Sequence, residues 1–560
     1  MRTAHQVRIT AARGGTIALL VTLSLLVMNL GGRAGSAPAP ATAFVRVNQV
    51  GYPLAASKRA YLMASGAETG ASFSVRNAAG TIVFSGPVGA NLGSWSSAYP
   101  GVFALDFDSV SAAGTYTISV AGPIPATSPS FRIDSGAGVY GGALENALAF
   151  YQTERDGPNF ITSPLRTAPA HLNDQTAMTY LTPHVNSAGR FSGDLTPLGI
   201  RVDGSGGWWD AGDYIKGKQT LGYTTALLLS GVRDFPAQMG AGSTASDFTA
   251  EARFGTDWLL RMWDDPTRTF YYQVGIGTGN AKTVGDHDIW RLPQADDTFG
   301  GTDPLYRYIR NRPVFRAGEP GSLISPNLAG RDAAVFGLCY QVFKTSDPAF
   351  ANKCLLAGQH IFDLANTAPS GNLTTYIPFS SYPETEWRSD LELGAVQLYF
   401  AVASGGLPAG LPHTDPLFYL QKAAHWPREY VNSPDDADTQ NARWLGNILG
   451  ANAWGSSFII GDGSTFPRCP HHQVANLVGS LDGTPPVLRG AAVEGPNGTL
   501  YRGFQTGMRN CPPDDSDPFA SFSSTAKFKD DIESFSTVEP AVDLTATSPL
   551  AFARQAAGLL

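Results

Sequence analysis

After Ser135 apolar residues begin to recur at three- and four-residue spacing, and they do so in eight separate stretches: VYGGALENALAFYQTER, TLGYTTALLLSGVRDF, DFTAEARFGTDWLLRMW, GRDAAVFGLCYQVFK, AFANKCLLAGQHIFDLAN, RSDLELGAVQLYFAVAS, DPLFYLQKAAHWPREYV and NARWLGNILGANAW. That spacing marks helices that bury one stripe. A further apolar helix is expected from Pro549 to Leu560. The loops between the stretches are long and rich in Gly, Pro, Asp and aromatics, with no run that reads as a strand long enough to build a sheet. No common repeat links the stretches, which argues against an ordinary solenoid. The pattern predicts a mainly α barrel or toroid of helical hairpins over 136–560, with function carried by loops at one rim.

The preceding residues follow a different rule. From 44 to 135 come FVRVNQVGY, KRAYLMA, SFSVRN, TIVFSG, VFALDF, TYTISV and SFRI, short β-prone segments at roughly ten-residue intervals. Alternation in TYTISV gives one buried and one wet face, and the whole predicts a small immunoglobulin-like β-sandwich. Residues 1–43 read as a secretory signal peptide: basic Arg2, Arg8 and Arg13, the apolar TIALLVTLSLLVMNL, and a small-residue tail ending Ala41-Thr42-Ala43. The expected protein is secreted and free of the membrane after cleavage.

Export makes the four cysteines disulfide candidates. Cys339 and Cys354 lie about equally far from the turn TSDP (Thr345 to Pro348), so a helical hairpin would set them side by side, and Cys469 is then left to Cys511. Net charge is −8 without long acidic or basic runs. Nucleic acid and anionic membrane are thus unsuited as partners, because phosphate binding needs clustered Lys and Arg. A neutral ligand and a monomeric chain are expected.

Three stretches can carry chemistry. GGWWDAGDYIKG (Gly206 to Gly217) places Asp210 and Asp213 three residues apart in a glycine-bent aromatic loop. FKDDIESFSTVEPAVDLTA (Phe528 to Ala546) holds Glu539 between Val538 and Pro540, where desolvation could keep the carboxyl protonated. A protonated acid opposite a carboxylate that activates water is what glycoside hydrolysis requires, and two Asp side chains sharing a water point to inversion. The third stretch, SSFIIGDGSTFPRCPHHQ, ends in adjacent His471 and His472, of which one can face a given site; it would bond sugar hydroxyls rather than a metal.

These motifs resemble glycoside hydrolase family 9, the inverting endoglucanase family with an N-terminal immunoglobulin-like domain. The likeness runs from Phe44 nearly to the end: VNQVGY, GGWWDAGDYIKG and FxDxxxxFxxxExA (Phe528 to Ala541), with weaker matches at YYQVGIGTG followed by DHDIW, and at ILGANAWGSSFIIGDG before PHHQ. The resemblance implies an (α/α)6 barrel, Asp213 as general base, Asp210 as its partner in holding the water, and Glu539 as general acid. It also implies that His471 lines the sugar site and that Trp209 and Trp290 offer flat faces for pyranose rings. Gln473 stands on a sugar-contacting segment where the family has Arg, and Leu544 and Thr545 replace an aromatic and Asn after the acid. The family's frequent zinc site lacks its cysteines here, since LRTAPAHLNDQ offers only His171. No cofactor is required; a structural calcium is allowed, with Asp286, Asp288, Asp296 and Asp297 as oxygen donors. The expected reaction is hydrolysis of a β-1,4-linked glucan or related β-glycan. An exo-glucosaminidase or glucosidase, or a carbohydrate-binding protein on the same scaffold, are the alternatives.

Overall fold

A computed structural model describes residues 40–186, 190–243, 246–377, 382–425 and 444–559. Residues 1–39 of the expected signal peptide and the latter part of DPLFYLQKAAHWPREYV lie outside the described residues. Ala41–Leu560 form one compact unit.

Its first part is a sandwich of two sheets. One runs Ala43–Arg46, Arg59–Ala64, Gly101–Asp106, Asn91–Gly93; the other runs Tyr52–Pro53, Phe131–Asp134, Gly114–Ala121, Ser72–Asn77, Ile82–Pro87, with Ala126–Thr127 on the side. Strand alternation fills the space between them: Tyr116, Ile118 and Val120 are buried and their neighbours are not, so the apolar face meets Val45, Leu62, Leu105 and Ile133. Ala43 opens the first strand opposite Ala64.

The helical stretches follow. We label them α1 (Gly136–Glu154), α2 (Lys218–Asp234), α3 (Thr249–Arg261), α4 (Pro326–Phe343), α5 (Pro348–Asp363), α6 (Arg388–Ala403), α7 (Pro416–Ala423) and α8 (Val542–Ala556). Side-chain caps start several of them: Ser135 accepts from Gly138 N, Asp347 from Phe350 N ahead of Pro348, and Asp415 from Leu417 N ahead of Pro416. Helices α2, α4 and α6 lie side by side, α8 packs between α1 and α2, and α3, α5 and α7 back onto α2, α4 and α6. Cys339–Cys354 bonds α4 to α5 across the TSDP turn, and Cys469–Cys511 bonds two loop segments, both as the sequence predicts.

Three expectations need correction. A six-stranded sheet does stand among the helices, ordered Pro197–Val202, Ala177–Leu181, Val314–Arg316, Thr269–Val274, Lys216–Gly217, with Trp263–Asp264 paired to Thr269–Val274. It escapes a search for alternation because all six residues of Thr269–Val274 are buried. The last helix begins at Val542 and carries Pro549 inside it. NARWLGNILGANAW is helical only over 444–448 among its described residues.

The sandwich is fastened to the helical part by buried polar groups. Gln49 donates to the Gly455 carbonyl at 2.6 Å and accepts from the Ser464 and Thr465 backbone at 2.8 Å each, and Trp95 Nε1 donates to the Phe522 carbonyl at 2.7 Å. Among the described residues no helix is long and apolar enough to cross a membrane.

Candidate active site

The residues 207–217 run from Trp208, whose Nε1 donates to Glu251, to the strand Lys216–Gly217 and straight into α2. Neither aspartate caps that helix, whose N-cap is Gly217 without a side-chain bond. The loop is instead stitched to the other two motifs through the backbone. Gln473 N donates to the Gly212 carbonyl, Val542 N to the Asp210 carbonyl, and His471 N to the Val538 carbonyl. Gly212 sits at the crossing. A Cβ there would lie 2.0 Å from the His471 carbonyl oxygen and 3.2 Å from Glu539 Oε1, so only glycine fits.

A cavity of about 710 Å³ opens at this crossing, lined by Asp213, Glu539, Trp290 and His471 from the predicted set. Asp210 lies just beneath, 2% exposed, bonded to Asp213 and receiving a hydrogen bond from Tyr382. Burial and the neighbouring Asp213 carboxylate hold Asp210 well above the usual carboxylate range. Burial also works against the ionised form of Asp213, but His287, Ile215 N–H and Asp210 outweigh it and hold that carboxyl below its ordinary value. The pair therefore shares one proton, resident on Asp210, while Asp213 stays charged. His287 Nε2 meets Asp213 Oδ2 at 2.7 Å. Burial opposes its protonation, yet the Asp213 carboxylate raises it to about 9.

Glu539 has the opposite character. Its Oε1 accepts from Gly212 N at 3.2 Å, and burial together with the Asp213 carboxylate pushes the carboxyl up to about 8. His471 is pushed down to about 4 by burial, and its Nδ1 bonds the Ile532 carbonyl, which leaves Nε2 of the neutral ring as an acceptor. His472 turns away to the buried Glu154 at 3.1 Å, so one of the two histidines faces the cavity. The site thus presents a protonated acid, an ionised base and a neutral imidazole to one space.

Two predicted residues are elsewhere. Trp209 is fully buried, with the Arg166 guanidinium 4.2 Å from its ring and Tyr214 at 4.5 Å, and does not line the cavity. Gln473 is also fully buried, its Oε1 accepting from Arg291 N at 3.1 Å, and acts as a strut behind the wall. Trp290 lines the cavity but is 6% exposed and stands edge-on to His471 at 5.0 Å. The sequence reading assigned no role to His287, Tyr382, Glu494 or Asp543, all of which line the cavity. His287 lay in view within DHDIW; its neighbours' charges were the signal, but only the fold brings it to Asp213.

The four acids offered for calcium are already engaged. Asp286 accepts from Tyr214 N and Arg291, Asp296 from Arg291 and His171, Asp297 from Leu172 N and Asn173 N, and Asp288 from Gly279 N and Gly285 N. Each of these carboxylates thus accepts from N–H groups of the protein itself. His171 sits instead in a buried ionic network, 2.7 Å from Asp156 and 3.0 Å from Asp296, with Lys216 and Arg312 on Asp156 and Asp174. Asp286, Arg291 and Arg312 extend that network to both sides of the Tyr214 peptide, next to Asp213.

A proton donor and a proton acceptor facing one cavity are the pair that general acid–base chemistry requires. Comparison with known proteins specifies it further. The model of glycosyl hydrolase family 9 matches 140–445 and 413–552, and that of the cellulase N-terminal ig-like domain matches 41–123; the chain belongs to glycosyl hydrolase family 9. Endoglucanase 20 of Oryza sativa subsp. japonica is 30% identical over 244 residues, 43% of this chain and 38% of the relative. The chain thus spans less than half the length of the relatives it matches. A metagenome-derived glycoside hydrolase family 9 endoglucanase superposes with a TM-score of 0.61 at 22% identity, covering 92% of this chain and 99% of that one. A thermostable endoglucanase variant from Alicyclobacillus acidocaldarius gives 0.60 at 20% identity, covering 91% and 99%. These two share the fold.

Proposed function

We propose that this chain is a secreted, monomeric, inverting glycoside hydrolase acting on a β-1,4-linked glucan or a related β-glycan, on helices closed as an (α/α)6 barrel. The observation that carries this reading is that Asp213, paired with His287, and Glu539, held by Gly212 N, face one cavity. Asp213, charged and oriented by His287, takes a proton from water as the water attacks the anomeric carbon. Glu539 gives its proton to the departing glycosidic oxygen. Asp210 holds the shared proton beneath Asp213 and so keeps that carboxylate ionised. No metal or redox group enters these steps.

A second reading within the same chemistry is favoured by the cavity's carboxylates. Glu494 and Asp543 line it, so the ammonium of a 2-amino sugar would find carboxyl groups there. The test is one panel: β-1,4-glucan, xyloglucan and glucosamine oligosaccharides, read by chromatography of products and by NMR of the first-formed anomer. Release of the α-anomer supports the inverting assignment, and the preferred sugar separates the two readings. Absence of turnover on the whole panel, with sugar binding retained, would mean a lectin on the same scaffold.

A further inference from the structure

We propose that the cavity continues outward into an aromatic platform, Phe535, Tyr501 and Phe504, that binds a further pyranose ring of the glycan chain. This rests on the reading that the cavity takes a glycan. Phe535 lines the cavity, and the Tyr501 ring lies nearly parallel to it, 17° between planes with centroids 6.3 Å apart. Tyr501 and Phe504 are each 57% exposed, within four residues of one another and beside Gln505, which also lines the cavity. Scattered exposed aromatics are ordinary. Two together at a cavity mouth, continuous with a ring inside it, form a patch.

The loop that carries them is held, not loose. Tyr501 N donates to Ser536 Oγ at 2.9 Å, Gly503 N to the Glu533 carbonyl at 2.9 Å, and Trp290 N to the Thr506 carbonyl at 2.8 Å. Asn497 and Lys527 exchange backbone bonds of 2.9 and 2.8 Å, and Arg502 bonds Asp531 at 2.8 Å. Every one of these anchors ties the loop to the cavity wall or to the segment leading to Glu539. The backbone order is already provided by these bonds, so the exposed rings lose little entropy on binding. A β-linked pyranose presents an apolar C–H face flanked by equatorial hydroxyls. An uncharged ring pair that leaves the ligand's edges in water matches that amphipathic shape.

The test is a chain-length series with the full chain and β-1,4-glucan oligosaccharides. Phe504→Ala and Tyr501→Ala would each raise KM for the longer oligosaccharides about tenfold with kcat retained, the worth of one aromatic contact. Tyr501→Trp would keep the parent KM. An unchanged KM at every length, or a loss equal at every length, overturns the platform. If the parent hydrolyses none of them, the acid–base reading has failed and the platform is decided separately, by electrophoresis through gels containing hydroxyethylcellulose. Retardation of the parent that is lost in Phe504→Ala supports it; equal migration overturns it.

Discussion

Asp213 and Glu539 occupy the same cavity yet hold their protons oppositely, and the cause is what each one touches. Asp213 receives His287, a backbone N–H and the proton of Asp210; Glu539 is buried beside the Asp213 carboxylate with one long bond from Gly212 N. An acid that must be protonated acts below its pKa, so activity should fall as pH rises past about 8. A base that must be charged acts above its pKa, which here is held below the ordinary 3.8. The pH profile of kcat/KM should therefore be broad, with its alkaline limb near pH 8. Replacing His287 by Ala removes a positive charge from both carboxyls, so both limbs should move to higher pH. Glu539→Gln should lower kcat by about 10²–10⁴-fold on substrates with a poor leaving group. Gly212→Ala forces a methyl onto the His471 carbonyl and should cost roughly 1–3 kcal/mol by chemical denaturation, with loss of turnover.

At the scale of elements, the two disulfides do different jobs. Cys339–Cys354 closes 15 residues between α4 and α5, away from the cavity. Its replacement by alanines should lower stability by about 3 kcal/mol, seen as a fall in Tm with kcat retained. Cys469–Cys511 closes 42 residues that begin two positions before His471 and pack against Trp290. Its loss should lower both Tm and kcat. The hairpin pairing was readable because a turn midway between two cysteines fixes their register. The sheet behind the 206–217 loop was not, because a strand buried on both faces shows no alternation. Trp209 and Gln473 were misplaced for a related reason. Motif membership says that a residue is near the site, whereas which side of the chain it takes depends on the packing of Arg166, Tyr214 and Arg291 around it.

For the whole molecule, the decisive feature is the buried charge beneath the 206–217 loop. Asp156, Asp174, Asp286 and Asp296 face Lys216, Arg291, Arg312 and His171, four potential negative charges against four positive. Each ring nitrogen of His171 meets a carboxylate, and a neutral imidazole has only one N–H, so the ring is doubly protonated. Burial and Arg312 oppose that charge, but Asp156 and Asp296 raise the His171 pKa above its ordinary 6.5. The sign follows. A group with a raised folded pKa stabilises fully below its unfolded value, and the contribution disappears as pH rises through the folded one. Asp156, held well below the usual carboxylate range, contributes above its unfolded value and loses that as pH falls. Thermal stability should therefore decline on both sides, and His171→Gln should flatten the alkaline decline in a Tm-against-pH series. Gln49, bonded to Gly455, Ser464 and Thr465, couples the sandwich to this body. Gln49→Ala should cost about 2–3 kcal/mol by denaturant titration, since it leaves buried partners unpaired.

Local pattern alone was enough for the sandwich, most of the helices and the hairpin disulfide, because period and turn chemistry are written within a few residues of each other; it also marked Asp210, Asp213 and Glu539 as carboxylates in apolar surroundings. What only the folded chain decided was how distant charges meet: His287 on Asp213, one proton on Asp210, His171 between two aspartates, and an aromatic rim beside the cavity. Protonation and exposure are set by neighbours hundreds of positions away in some cases, as with Glu539 and Gly212. Electrostatic energies in a dry interior depend on those distances, and no local stretch of sequence contains them.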